Sequence, residues 1–378
     1  MMLRRSALAV CVLSVALTGC SYFDFGGSKA PKPAEIGTFT PVLGVRQAWT
    51  AKIGPMGRIS LTPQVNGTLV TLASGDGTVA AIDVRTGGDL WRTNVGKPLS
   101  AGVGTDGKRS AVVTQDNELV VLADGREAWR KSLPAQVFTA PLVAGERVFV
   151  LAADRSLTAY DGATGKRLWT QQRPGEPLVL RHAGVLMPLG DTLVAGMSGR
   201  LVGYNPDNGS IKWEAPIATA RGTNDVERLV ELVGHTSRVG ESVCARAFQT
   251  AVGCVNTDRA TVAWSQTANG ATGVSGDERF VFGSESNGNV MAWKRADGSR
   301  AWTSDRLLYR HLTAPLVLGR AVVMGDDTGS VFLLNKEDGA LLNRLTTDGS
   351  GIAAEPVAAG DTLVVVTRNG GVYGFRPE

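Results

Sequence analysis

The chain has 378 residues, with 39 Lys and Arg against 35 Asp and Glu, a formal charge of +4, and 43% hydrophobic residues. A balance this close to neutral gives no electrostatic case for nucleic acid, and the length far exceeds what one small core needs. With 47 Gly beside many Val, Thr and Ala, the composition points to an all-β protein with many tight turns.

Residues 1–19 read as an export signal. Arg4 and Arg5 form a positive start and Ser6–Leu17 a short apolar run, well below the roughly 20 residues a spanning helix requires. Leu17-Thr18-Gly19-Cys20 has the form of a bacterial lipobox, in which Cys20 becomes the acylated N-terminus; the alternative is an ordinary signal peptide with an incidental Cys. Ser21 rather than Asp after Cys20 points to the outer membrane. Several acyl chains, at about 0.8 kcal/mol per buried CH₂, anchor a protein stably without a spanning helix. Loss of Arg4 and Arg5 lowers the formal charge by two from +4. Residues 20–45, with Gly26-Gly27-Ser28 and Pro31-Lys32-Pro33, are expected to be a flexible tether. No later segment is long and apolar enough to cross a membrane as a helix.

From residue 46 to 378 the chain repeats. Its clearest copy is Ala140–Thr170, where Val148–Ala152 and Ser156–Asp161 read as strands around a bend at Ala153–Arg155. Asp161-Gly162-Ala163-Thr164-Gly165-Lys166 follows as a second turn, and Arg167–Thr170 as the last strand. One such four-stranded meander cannot bury both its faces alone. Its terminal Trp recurs at Trp49, Trp91, Trp129, Trp169, Trp213, Trp264 and Trp302, with Leu342 in the last copy, at intervals of 42, 38, 40, 44, 51, 38 and 40 residues. The turn recurs at Asp83–Gly87, Asn205–Gly209 and Asn335–Gly339. A first strand marked by Pro recurs around Pro63, Pro141, Pro188, Pro315 and Pro356. A period near 40 with four strands per copy predicts a β-propeller of eight four-stranded antiparallel blades. Gln47–Thr50 supplies only a last strand and Val372–Phe375 ends a third one, so pairing them closes the ring and leaves no edge at the seam. The seven tryptophans, each burying on the order of 200 Å², are expected to dock structurally between blades against the turn that precedes them. Trp293 lies off this register, at the place of Tyr160 and Tyr204, and also reads as packing.

Of four cysteines, Cys11 leaves with the signal and Cys20 is the lipid site. Cys244 and Cys254 are symmetric about a bend near Gln249, in strands expected at Val243–Ala247 and Ala251–Val255. A disulfide between them is predicted in an oxidising periplasm; the alternative is two free thiols in the core.

Two stretches break the repeat. Ala218–Leu229 is charged and lacks strand alternation, and Gln171–Ala183 sets Leu178, Val179 and Leu180 beside Arg181. Both follow a Trp strand, which places them on one rim of the ring. Leucines next to an arginine have the composition of a protein–protein hot spot; the alternative is a loop whose leucines fold back onto the core. His182, His235 and His311 are dispersed, and no catalytic residue set, metal site or nucleophile motif is found, so neither an enzyme nor a cofactor is expected.

Ala159-Tyr160-Asp161, Thr164-Gly165-Lys166 and Leu168-Trp169 resemble the tryptophan-docking motif of the pyrroloquinoline-quinone propeller repeat. Two families share it, the quinoprotein dehydrogenases and the outer-membrane assembly lipoprotein BamB. Lipobox, tether, length and blade number resemble the BamB family over essentially the whole mature chain. Quinoproteins are typically longer and carry an adjacent Cys-Cys pair and calcium-binding carboxylates that have no counterpart here. The resemblance implies a non-enzymatic scaffold of the β-barrel assembly machinery, lipid-anchored on the periplasmic face of the outer membrane. It would bind the POTRA domains of BamA and assist unfolded outer-membrane proteins, with no nucleic acid involved. The family's BamA-contacting Leu-Xaa-Leu-Arg pattern matches Leu178-Val179-Leu180-Arg181. A second segment matches Glu227-Arg228-Leu229 and Glu231, although Val233 stands where the family has a second acid. Leu178 and Leu180 are thus expected to be apolar anchors, Arg181 to pair with an acid or carbonyl of the partner, and Glu227, Arg228 and Glu231 to form a polar rim. Alternatives are a periplasmic quinoprotein oxidoreductase and a propeller adaptor for another envelope complex.

Overall fold

The structure, a computed structural model, describes residues 31–57, 62–174, 179–219 and 229–378. Contacts divide the chain after Pro33, and the account below concerns Ala34–Glu378. The signal segment and Cys20 lie outside the described residues.

All regular structure described is β, in eight four-stranded antiparallel sheets. Seven are sequential meanders, blades 1 to 7, starting at Gln64, Leu99, Leu142, Leu186, Leu232, Ser275 and Leu316. Blade 8 takes three strands from Val357–Ala359, Thr362–Val366 and Gly371–Pro377 and its fourth, Val45–Lys52, from the other end of the chain. This is the eight-bladed propeller the Trp spacing predicts, closed by the N-terminal strand. The second and third strands of each blade are sandwiched by neighbouring sheets. Thr192–Met197 and Phe280–Ser284 are accordingly buried at every position, and these strands read as apolar runs rather than alternating ones. Phe149 and Leu151 of blade 3, for example, pack with Leu193, Met197 and Tyr204 of blade 4.

Each Trp docks across the blade boundary. The indole Nε1 of Trp49, Trp129, Trp169, Trp264 and Trp302 donates to the carbonyls of Val84, Gly162, Pro206, Arg295 and Lys336 at 2.6 to 2.9 Å. Three residues after each acceptor comes a glycine with positive φ, lying under the ring (Gly87, Gly165, Gly209, Gly298 and Gly339). The receiving turn belongs to the following blade, not to the turn that precedes the Trp in its own copy, which corrects the expectation above. A Cβ on Gly298 would lie 2.5 Å from the Trp264 ring. In blade 5 the equivalent turn position is Ala260, held at φ 52°.

Blade 8 explains the missing eighth Trp. Its third and fourth strands pair from Val45↔Pro377 to Lys52↔Gly371, but no hairpin turn joins them. Without such a turn there is no glycine for an indole to cover, and Leu342 of blade 7 packs there instead, with Leu43, Val45 and Phe375.

Residues 34–44, which the sequence reading assigns to the tether, lie against the body. Ala34 N–H donates to Leu308 O at 2.9 Å, and Arg310 Nε and Nη2 both donate to Ala34 O. Ile36 packs on the core of blades 6 and 7. Val42 N–H donates to Leu342 O and Asn343 Nδ2 to Leu43 O. Their Pro and Gly content reads as flexible, but Ile36 and Leu43 give the segment apolar anchors.

In blade 5, Cys244 and Cys254 face each other across Ser242–Ala247 and Ala251–Asn256, joined by a disulfide with Cα atoms 3.9 Å apart. The bend falls at Phe248–Thr250, with Gln249 at φ 49°. Trp293 is buried beside this pair.

Candidate partner-binding surface

A meander leaves its fourth strand on the rim that also carries the bend between strands two and three. All blade-to-blade connections therefore share one rim with those bends. Three neighbouring segments are laced together there. Ala153 N–H, in the blade 3 bend, donates to Gln136 O in the connection from blade 2, at 2.8 Å. Gly184 N–H, in the connection from blade 3 to blade 4, donates to Thr139 Oγ1 at 2.9 Å. Gly234 N–H, in the first strand of blade 5, donates to Ala183 O at 2.9 Å, and Gly184 bridges Val233. Ala183 and Gly184 are thus tied on both sides, to the connection from blade 2 and to the first strand of blade 5.

Leu178, Glu227 and Arg228 lie outside the described residues. Leu180, Arg181 and Glu231 are described. Leu180 is half-buried over a cavity of about 60 Å³ whose wall includes Phe138, Leu151, Met197, Arg155 and Glu231. Arg181 is exposed, its guanidinium stacked over the Phe138 ring with Cζ 5.4 Å from the centroid. Glu231 is turned inward, bonded to Arg155 Nη2 at 3.1 Å, with the two side chains only 18% and 11% exposed. Burial pushes the Glu231 carboxyl above its ordinary range, and Arg155 opposes the shift. Val179, Leu180, His182 and Ala183, from the stretch Gln171–Ala183, thereby share one cavity with Glu231, which lies just beyond Ala218–Leu229.

Two residues of this surface were not singled out from sequence, Phe138 and Arg155. Arg155 sits at φ 64° in the blade 3 bend, where blades 1, 6, 7 and 8 carry Gly77, Gly288, Gly329 and Gly370, all with positive φ. A left-handed conformation costs a non-glycine residue about 1–2 kcal/mol, so an arginine at a glycine position was a readable departure. Phe138 gives no such signal; it lies in a short connection and gains its place only when blades 3 and 4 fold beside it.

A family model described as outer membrane protein assembly factor BamB matches residues 75–304. The chain is 38% identical to the protein of that name from Burkholderia pseudomallei over 378 residues, covering 99% of each. The chain belongs to the BamB family. The crystal structure of BamB from Moraxella catarrhalis superposes with a TM-score of 0.80 at 20% identity, over 88% of this chain and 99% of that one. The quinohemoprotein alcohol dehydrogenase from Comamonas testosteroni gives 0.68 at 15% identity, over 89% and 77%. At these identities both likenesses are of fold. In this BamB-family chain the rim offers a half-buried leucine, a guanidinium held against an aromatic face and a shielded ion pair.

Proposed function

We propose that this chain is a non-enzymatic scaffold of the β-barrel assembly machinery that binds BamA and aids insertion of β-barrel proteins into the outer membrane. The observation that carries the reading is the 38% identity, end to end, with a protein named for that assembly role. Cys20 would be lipidated after removal of residues 1–19 and would hold the propeller on the periplasmic face of the membrane. Leu178 and Leu180 would anchor the POTRA region of BamA, with Arg181 meeting an acidic side chain or carbonyl and Glu227 and Arg228 at the rim. Glu231, engaged by Arg155, would act through the surface it supports. The quinoprotein alternative rests on fold similarity alone, and fold does not carry function.

The test is co-purification of BamA with the full-length lipoprotein, wild type against Leu178→Ser/Arg181→Ala, with circular dichroism as the check on folding. Capture by wild type and not by the folded double variant supports both scaffold and site. Equal capture refutes the site, and no capture by wild type refutes the BamA assignment.

A further inference from the structure

The docking surface extends beyond the segments its sequence motif covers, to the connection between blades 2 and 3, and one residue there has a definable task. The Arg181 guanidinium lies over the Phe138 ring, with Cζ 5.4 Å from the centroid, on an otherwise exposed side chain. The Phe138 backbone cannot wander. Val137 beside it is fully buried, Gln136 O accepts from the blade 3 bend, and Thr139 Oγ1 accepts from Gly184. Phe138 also forms part of the wall of the cavity that Leu180 overhangs. One ring thus touches both the cation and the apolar pocket.

We propose that Phe138 is a positioning and specificity-determining residue for partner docking. It presents Arg181, already ordered, to a carboxylate on the partner, and it walls the adjacent pocket for that partner's neighbouring apolar side chain. The proposal rests on the docking reading above. Its physical basis is that a free arginine loses rotamer entropy on binding, a cost reduced when the guanidinium is already held in its bound orientation. A lysine cannot substitute, because it has no flat face to lie on the ring and no fork to meet both carboxylate oxygens. The preferred partner element is therefore an acidic residue flanked by an apolar one.

The experiment measures the dissociation constant of the full-length lipoprotein in detergent for the periplasmic region of BamA. Variants are Phe138→Leu, Phe138→Tyr, Arg181→Ala, Arg181→Lys and the Phe138→Leu/Arg181→Ala double. At an exposed site, loss of the cation–π contact corresponds to roughly a twofold to fivefold weakening. Phe138→Leu should show that loss and Phe138→Tyr should not. Arg181→Ala should weaken binding more, and Phe138→Leu, which keeps an apolar wall to the pocket, should add nothing to it. Arg181→Lys tests the same contact without altering the connection that holds Phe138, so a folding defect in Phe138→Leu does not decide the matter; it should weaken binding at least as much. If Arg181→Ala weakens binding while Phe138→Leu and Arg181→Lys do not, the positioning role is overturned and the docking reading stands. Equal losses for Leu and Tyr, or additive losses in the double variant, also overturn it. If Arg181→Ala has no effect, the docking reading fails and this inference fails with it.

Discussion

Gly298→Ala should strike the molecule at the joint that repeats around the ring. Gly298 has φ +72°, and a Cβ there would meet the Trp264 ring at 2.5 Å. The left-handed backbone costs an alanine about 1–2 kcal/mol. The ring must then shift, straining the 2.7 Å bond from Trp264 Nε1 to Arg295 O; leaving such a buried donor unmade costs about 1–3 kcal/mol. Together these terms come to about 2–5 kcal/mol, reaching the range of a severe core substitution. For a body of this length the unfolding entropy is roughly 0.7 kcal/mol per kelvin, so Tm should fall by roughly 3–7 °C, followed by circular dichroism and Trp fluorescence. Gly240→Ala is the control: φ is +53° but nothing lies within 4 Å of the added Cβ, so only the backbone cost applies. Equal losses for the two variants would refute the idea that the glycine exists to receive the indole.

Further outcomes follow from the same geometry. Ala260→Gly, which relieves φ 52° at the equivalent turn of blade 5, should raise Tm by about 1 °C, read in the same melts. Replacing Cys244 and Cys254 together by Ala removes a link across 10 residues and should cost at most about 3 kcal/mol; because both sulfurs are fully buried, thiol-alkylation mass spectrometry should find them resistant to reductant until the protein unfolds. Arg310→Ala strips the cation from fully buried Asp326, bonded at 2.8 Å, and should cost about 3–5 kcal/mol. It should also open residues 34–44 to limited proteolysis at temperatures where the body stays folded. Asp83, hydrogen-bonded to Arg85, is lowered from 3.8 to about 2. Its stabilising contribution is therefore complete above pH 3.8 and disappears as pH falls through about 2, so NMR titration should give a midpoint near that value, raised by Arg85→Ala.

Blade number, closure by the N-terminal strand and the Cys244–Cys254 hairpin were legible in the sequence, because each is written at a fixed offset from a Trp or a turn. What was not legible depends on neighbours distant in the chain. That Trp129 lies on the turn of the next blade and not its own follows from the handedness of the ring, which a period alone does not encode. Residues 34–44 look like linker by composition, yet Ile36 and Leu43 find pockets that exist only after blades 6 to 8 assemble. Glu231 reads as one more surface acid; its inward orientation depends on Arg155, 76 residues earlier. Phe138 acquires significance only from the guanidinium beneath which it sits.

The seam in blade 8 carries a consequence for how the molecule comes into being. Among the described strands, Val45–Lys52 is the first to leave a ribosome, and its partner Gly371–Pro377 the last. Loop-closure entropy grows slowly with length, but pairing cannot start until the far end has arrived. Until then the nascent chain is an open arc with two unsatisfied borders, one at each extremity, each a template for stray pairing. Circularisation is thus a late, single event that commits the whole arc, and topology of this kind slows folding. The first strand of the ring, Val45–Lys52, has to wait for Gly371–Pro377 before any seam exists.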